Sequence, residues 1–483
     1  MITWGISANS HDAALAVFTD DGLEFASHSE RFSGIKNDAH LNKEIIDYAH
    51  QWGEPNEIIW YERPFRKTLR QIRAGQGFKF RENNINRYLR QYGISAPVSY
   101  ISHHHSHAAA GYYTSPFSEA CIVCIDSIGE FETLTIWQGS GDRLKKIYSQ
   151  KFPHSIGLWY SAMTQRIGLK PNEDEYILMG MAAYGDSKVY GNQIMNDFFE
   201  SQTLPIKLKH NLHRGCRWWH ENLNDDHNFN IAAGTQWVYE TILDNILQWC
   251  RKNTDSKNLI IMGGCALNCS ANYLGYKYFD DVWIMPNPGD AGSAIGCVLA
   301  HKKEHLPMSH MYMGYNIEGD YPVEETISEL KKTGIVGVAN GRAEFGPRAF
   351  GNRSLLADPR GNDIKNRVNV IKRRQRFRPF APVVLSEHYD ANFEGPANSY
   401  MQFTSTCKHP DLYPAIVHFD GTSRVQVVEK DNSGIRRLLE RWYEETGCPM
   451  LLNTSLNIKG KPMVNNKTNA KEFQEYYGVK VCS

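Results

Sequence analysis

Four histidines stand within five positions in ISHHHSHAAAGYY, residues 101–113. If this stretch is a helix over 103–113 with Ser102 as its N-cap, residues four apart lie about 40° apart around the axis. His103 and His107 then share a face, while His104 and His105 point about 100° and 200° away. An HxxxH pair on a helix can grip one metal ion through two imidazole nitrogens. Two nitrogens are too few, so oxygen ligands must come from elsewhere. Asp126 ends the apolar strand CIVCID, and Asp290 sits in the loop of NPGDAGSAIG. Two histidines with one or two carboxylates suit iron(II), manganese or zinc, with positions left open for substrate. HxxxH alone reads more readily as hydrogen-bonded polar residues; the two aspartates favour a metal. His104 and His105 are candidates to support those ligands or to touch substrate.

A second chemical texture begins near residue 320. GIVGVANGRAEFGPRAFGNRSLLADPRG carries Arg342, Arg348, Arg353 and Arg360, set among glycine, proline and asparagine rather than along an amphipathic helix. IKRRQRFRPFAPVVL adds Lys372, Arg374 and Arg378, FDGTSRVQVV adds Arg424 and Gln426, and LLNTSLNIKGKPMV adds Asn453, Thr454, Ser455 and Asn457. Guanidinium groups fixed in turns beside apolar strands suit bidentate binding of phosphates. A solvated basic face fits poorly, because Phe345, Phe350, Phe377 and Phe380 alternate with the charges. Ser455 lacks a GxSxG elbow and a His–Asp partner pattern, so it does not read as a hydrolase nucleophile.

The elements that must position these residues form a repeat. ITWGIS, AALAVF and LEFASHSE read as three strands joined by ANSHD and a turn at DDG. ACIVCID, TLTIWQG and LKKIYSQ repeat the layout, joined by SIGEFE and a turn at GSGD. Two copies, each followed by helical segments, predict a duplicated α/β domain whose first loops face one cleft. His11 and Asp12 in one loop, and Asp126 and Glu130 in the other, would meet a shared ligand there. NLIIMGGCALNCSAN runs an apolar strand into Gly263 and Gly264, where backbone N–H groups can approach phosphate or sugar.

Composition sets the bounds. The 483 residues are too many for one comfortable core, so two domains are expected. The formal net charge is zero and 41% of residues are hydrophobic, which argues against a whole-molecule field for nucleic acid. No apolar run reaches membrane-spanning length, and MITWGISANSHDAALAVF lacks a signal peptide's basic and apolar regions. A cytoplasmic protein is expected, with Cys121 and Cys124 as strand residues rather than a redox or zinc pair.

Taken together, SANSHDAA, HHHSHAAAGYYTSPF, GGCALNCSAN, PNPGDAGSAIG, GRAEFGPRAFGNRSLLADPR, FRPFAP and LLNTSLNIKGKP closely resemble the ATP-dependent O-carbamoyltransferases. Nodulation-factor, aminoglycoside and cephem carbamoyltransferases are of this kind. The resemblance implies an α/β fold with an N-terminal duplicated actin-like (ASKHA) domain, residues 1–318, holding metal and performing carbamoyl transfer. It also implies a C-terminal α+β domain like threonylcarbamoyl-AMP synthase, residues 319–483, making carbamoyl-adenylate from carbamoyl phosphate and ATP. Matched by position, the family's iron(II) ligands fall on His103, His107, Asp126 and Asp290. Its base near the acceptor hydroxyl falls on His11 and Asp12. Its carbamoyl phosphate and ATP site falls on Arg342, Arg348, Arg353, Lys372, Arg374, Arg378, Arg424, Asn453 and Ser455. Gly263, Gly264 and Asn268 would meet nucleotide or adenylate in the N-terminal cleft. A magnesium ion on ATP is expected. One departure is EYILMGMAAYG, with Ile177 where such proteins carry lysine.

The acceptor is a sugar or natural-product hydroxyl, or a hydroxymethylated pyrimidine in a nucleotide or DNA. For the second, RPFRKTLRQIRAGQGFKFRENNINRYLR, residues 63–90, holds nine Arg or Lys against one Glu, with Phe65, Phe78, Phe80 and Tyr88 among them. The same charges also suit an exposed helix face. An iron(II)-dependent oxygenase and an actin-like sugar kinase are the alternative enzymes, and a silent nucleotide-binding module is the non-enzyme alternative.

Overall fold

The computed structural model describes residues 1–361, 363–375, 377–378 and 380–483. The chain divides into two compact units, Met1–Ser29 with Asn37–Ser309, and Glu30–Lys36 with His310–Ser483.

The first unit contains two five-stranded sheets of one design. Strands β1 (Thr3–Ser7), β2 (Ala14–Thr19), β3 (Gly22–His28), β4 (Glu57–Trp60) and β5 (Val98–Tyr100) run in the order β3-β2-β1-β4-β5. Strands β6 (Glu119–Gly129), β7 (Glu132–Ser140), β8 (Arg143–Lys151), β9 (Asn258–Met262) and β10 (Asp281–Trp283) repeat it as β8-β7-β6-β9-β10. In both copies the first three strands form an antiparallel meander and the next two add in parallel. This is the duplicated α/β arrangement expected from the repeat. β1 is buried along its whole length and β9 nearly so, as strands covered on both faces must be.

Three helices matter for the site: α1 (Pro64–Arg73), α2 (His103–Thr114) and α3 (Ser293–Lys302). α3 is built from small residues because it is wedged between α2 and β1. A Cβ on Gly296 would lie 2.0 Å from the Ser106 carbonyl oxygen, and one on Gly5 would lie 1.9 Å from that of Ala294. Any side chain at either position would push α3 away, and with it Asp290 at its start. No helix among the described residues is long and apolar enough to cross a membrane.

The second unit is α+β, built on a six-stranded sheet. Its strands are β11 (Ile335–Ala339), β12 (Arg353–Ala357), β13 (Ala381–Leu385), β14 (Gln426–Val428), β15 (Met450–Ser455) and β16 (Val481–Cys482), in the order β14-β13-β15-β12-β11-β16. Val338, Leu355, Leu356, Val383, Leu451 and Leu452 from the central strands form its core, with Trp442 and Phe473 from covering helices. Two features differ from the sequence expectation. Tyr312–Ile317, on the first-domain side of residue 318, pairs with Gly341–Glu344 in this unit. The short segment Glu30–Lys36 also belongs here, although it follows β3 directly.

Candidate functional site

α2 begins at His103, and its 3.6-residue repeat brings the imidazoles of His103 and His107 together with Nε2 atoms 3.1 Å apart. Asp126 Oδ2 lies 3.0 Å from His103 Nε2 and 3.7 Å from His107 Nε2. Asp290 Oδ1 lies 3.3 Å from each. One ligand atom from each of the four residues falls within 4.8 Å of all the others. Donors about 2.1 Å from a shared ion, at right-angled or tetrahedral positions, stand roughly 3.0–3.4 Å apart. Most of these separations match a coordination shell, and the mixed N/O donors fit a divalent transition metal.

The surroundings fix these donors. Ser102 occupies the cap position of α2, but its side chain makes no capping bond. Instead Glu130 Oε1 accepts the His103 N–H at 3.4 Å and the Arg63 N–H at 2.8 Å. Glu130 is held at φ +54°, a conformation uncommon for a residue with a side chain. Asp126 does not end its strand: β6 continues to Gly129, and the β6–β7 pairing shifts register between Ile125 and Gly129. A bulge of this kind re-aims side chains, and here it lies at Asp126. A Cβ on Gly129 would sit 2.2 Å from the His103 ring, so only glycine lets the ring occupy its position. On the far side, Ser293 Oγ lies 3.4 Å from His107 Nδ1, the type of contact that orients a ligand imidazole. Burial opposes charge on His103 and His107, yet Asp290 and Asp126 outweigh it and raise both pKa values. Burial likewise opposes ionisation of the two aspartates, and the paired imidazoles outweigh it.

The neighbouring histidines do other work. His104 Nδ1 meets Thr135 Oγ1 at 2.9 Å, and His105 stacks on Trp137. Burial lowers them to about 3 and about 4, so both are neutral packing residues against β7. His11 Nδ1 is 3.1 Å from Asp12 Oδ2, and Ser10 of the same loop reaches Asp290 Oδ2 at 3.4 Å. The Asp12 hydrogen bond raises His11 to about 9 against the effect of burial, with Asp290 contributing. Asp12 thus favours the protonated form of His11 and orients its imidazole. Gly264 N lies 3.4 Å from Asp126 Oδ1. Gly263, at φ +87°, packs where a Cβ would be 2.2 Å from the Ile125 carbonyl oxygen. Both glycines therefore shape the metal end of β6. Asn268 pairs with Gln236 through both ends of its amide, at 3.0 Å each. Ile177 is buried. Cys121 and Cys124 are free, buried thiols on β6.

In the second unit the expected anion residues divide into two kinds. Arg353 is fully buried, and every nitrogen of its guanidinium donates to backbone carbonyls, those of Tyr315, Asn340, Gly341, Asn352 and Asn465 at 2.9–3.2 Å. It binds the protein's own loops, which corrects its expected role as a phosphate ligand. Lys372 belongs to the other kind. Its ammonium contacts the Ser455 carbonyl at 2.6 Å, Ser455 Oγ at 3.3 Å, the Asn457 carbonyl at 3.3 Å and Asn457 Oδ1, all neutral acceptors. Burial, then Arg374 and Arg378, push its pKa well below the lysine range. Arg374 lies over the Phe380 ring at 3.8 Å. Asn453, on β15, donates to the Ala349 carbonyl and to Gln426 Oε1.

Arg348 is half-buried on the loop after Gly341–Glu344, and the Glu344 carboxylate shapes that loop. Glu344 Oε1 accepts the backbone N–H groups of Phe350, Asn352 and Arg353 at 2.7–3.2 Å. Arg342 donates to the Met313 carbonyl at 2.7 Å, and Arg424 Nε is buried with no hydrogen-bond partner. A residue not expected from the sequence joins them. Arg31, 4% exposed, donates to the Gly346 carbonyl at 2.9 Å and leaves Nε and Nη1 without hydrogen-bond partners, with Glu30 Oε1 at 3.9 Å from Nε. The only sequence signal was an arginine in HSERFSGIK, 315 positions from the loop it contacts.

The sequence matches the carbamoyltransferase N-terminus over residues 59–299 and the carbamoyltransferase C-terminus over residues 327–482. The chain belongs to the carbamoyltransferase family. It is 30% identical to protein sll1178 of Synechocystis sp., over 95% of this chain and 92% of that one. It is 27% identical to the 3'-hydroxymethylcephem-O-carbamoyltransferase of Amycolatopsis lactamdurans, over 97% of this chain and 95% of that one. Among solved structures, the activator of the 2-hydroxyisocaproyl-CoA dehydratase from Clostridium difficile with bound ADPNP aligns with a TM-score of 0.36 at 10% identity. That alignment covers 63% of this chain and 96% of that one.

Proposed function

We propose that this transferase uses carbamoyl phosphate and ATP to make carbamoyl-adenylate in the second unit, and carbamoylates an acceptor hydroxyl in the first. The observation that carries the activation step is Lys372. It is a buried ammonium held only by neutral oxygens, beside Arg374 and Arg378, with no carboxylate at ion-pair distance among the described residues. Such a group gains most from a bound anion, because the anion supplies the charge compensation that the fold withholds. Carbamoyl phosphate and ATP are anions of that kind. Arg31 and Arg424 offer further buried donors. Fixed cations would hold carbamate against the α-phosphate and stabilise charge developing on phosphorus. Water hydrolyses carbamoyl phosphate to carbamate and phosphate; a carbamate oxygen then attacks the α-phosphorus of ATP, the bond from that phosphorus to the β-phosphate oxygen breaks, and pyrophosphate leaves.

In the first unit, His103, His107, Asp126 and Asp290 would hold a divalent metal, which we assign as iron(II). Bound there, it would polarise the carbamoyl carbonyl or acidify the acceptor hydroxyl. His11 and Asp12 sit at the same loop as Ser10, which touches Asp290. A cation at Asp290 would offset one of the charges that favour His11 protonation, while Asp12, the larger influence, would orient the imidazole proposed to take the hydroxyl proton. The cephem relative's name describes carbamoylation of a hydroxymethyl group, so a primary hydroxyl is the assigned acceptor chemistry.

The test is carbamoyl phosphate-dependent exchange of labelled pyrophosphate into ATP, run without acceptor. Exchange in the wild type and its loss in Lys372→Ala support the reading. ADP as the product would assign a kinase instead, and exchange independent of carbamoyl phosphate would mean that another group is adenylated.

A further inference from the structure

The helix α1 is inside out. Its inward residues Lys67, Thr68, Arg70 and Gln71 are polar and buried, and each makes a side-chain hydrogen bond, although Arg70 Nε has none. Lys67 Nζ meets Glu62 Oε1 at 2.5 Å and the Asn9 carbonyl at 2.6 Å, and Arg70 meets Gln76 Oε1 at 2.9 Å. Asn83 Nδ2 bridges Thr68 Oγ1 and Gln71 Oε1 at 2.8 and 2.7 Å. Its outward residues include Phe65, 66% exposed, and Leu69, 41% exposed. At about 100° per residue, Phe65, Leu69, Arg73 and Arg66 fall within roughly one 100° arc. Just beyond the helix, Phe78 and Phe80 are 80% and 52% exposed with nearly parallel rings 6.4 Å apart. Arg63, Arg66, Arg73, Arg81, Arg87 and Arg90 of the same segment are exposed. Exposed aromatics clustered on one short segment and rimmed by polar residues mark an interaction surface.

This surface is tied to the metal donors. The Glu130 carboxylate oxygen that accepts the His103 N–H also accepts that of Arg63, where α1 begins. Its other oxygen faces Arg66 at 3.7 Å.

We propose that the covering partner is a nucleic acid and that it carries the acceptor hydroxyl; this rests on the carbamoyl-transfer reading above. Phosphates match the arginines, and every base offers a face to stack on phenylalanine. Phenylalanine and arginine also suit a protein interface, so association with a protein, a second copy included, is a contrary outcome of the experiment. The chemistry then narrows the acceptor. An internal DNA nucleotide has no free hydroxyl, so the group is a hydroxymethyl on a pyrimidine base. Asp126 and Asp290 are largely buried, so that base must leave its stack to deliver the hydroxyl, at a cost that exposed aromatic rings help offset. The hydroxyl oxygen forms the new bond to the carbamoyl carbon, the bond from that carbon to the AMP oxygen breaks, AMP leaves, and the hydroxyl proton passes to a base.

The experiment is fluorescence anisotropy with a labelled oligonucleotide containing 5-hydroxymethylcytosine, beside transfer of labelled carbamoyl to it. Unmodified DNA, RNA and a small-molecule primary alcohol are the comparison arms. Phe78→Ala/Phe80→Ala should weaken binding tenfold or more. Arg66→Ala/Arg73→Ala should lower the salt slope by about two, and Lys145→Ala, on β8, should change neither. Binding with label on the hydroxymethyl oligonucleotide supports the inference. Wild-type binding by the phenylalanine variant, label on the small alcohol or RNA alone, or conversion of a dimer to a monomer by the variant would overturn it. Pyrophosphate exchange on the same samples separates the two readings. Exchange without oligonucleotide binding sinks only the acceptor assignment, whereas binding without exchange sinks the activation chemistry.

Discussion

At the residue scale, two buried cations of the second unit predict opposite phenotypes. Arg353 holds five carbonyls together. Arg353→Ala strands buried acceptors at about 1–3 kcal/mol each before relaxation, so it should lower the melting temperature sharply whatever it does to activity. Lys372→Ala removes an ammonium that only a bound anion would compensate, so it should abolish pyrophosphate exchange while thermal unfolding stays near wild type. A Lys372→Ala protein that melts like Arg353→Ala would show a structural lysine instead. In the first unit, Asp290→Asn should lose bound metal by elemental analysis and lose transfer, yet retain exchange. The four donors were legible from sequence because helical periodicity pairs His103 with His107, and two aspartates stand beside strand-like runs. The division of labour among the arginines was not, because sequence does not reveal which guanidinium groups the backbone already occupies.

At the element scale, the bulge in β6 and its glycine carry the metal set. Gly129→Ala places a methyl 2.2 Å from the His103 ring. Metal affinity should fall about 10–100-fold, as when a ligand's support is removed, with far-UV circular dichroism unchanged. Unaltered metal content would mean that the ring can shift without consequence. The first three strands of both sheets were readable from the repeated strand–loop–strand–turn pattern, but the sheet order and the bulge were not, since CIVCIDSIG reads as a strand that stops. The second unit has an element-level test of its own. Glu387, after β13, forms two hydrogen bonds with Arg436 of helix Gly434–Thr446, which lower its pKa from 4.5 to about 2. A carboxylate depressed in the folded state adds stability above about pH 4.5, and loses it as pH falls through about 2. Glu387→Gln should therefore unfold at lower denaturant than wild type at pH 6, and the gap should close on acidification. A gap that widens toward low pH would contradict the assignment.

For the whole molecule, the two units divide the proposed chemistry, with a buried cation cluster in one and a metal-sized donor set in the other. The tract 30–36 shows where linear reading falls short. It follows a strand of the first unit, yet packs Arg31 against the Gly346 loop of the second. The account stands on the order of events, activation at AMP before transfer at the metal. The most direct measurement follows nucleotide products when labelled carbamoyl phosphate, ATP, iron(II) and a hydroxymethyl acceptor are supplied together. AMP and pyrophosphate should appear in equal amounts with carbamoylated acceptor in the wild type, and the Asp290→Asn protein should still form pyrophosphate without labelled product. Formation of ADP, or labelled acceptor without any ATP consumption, would contradict it.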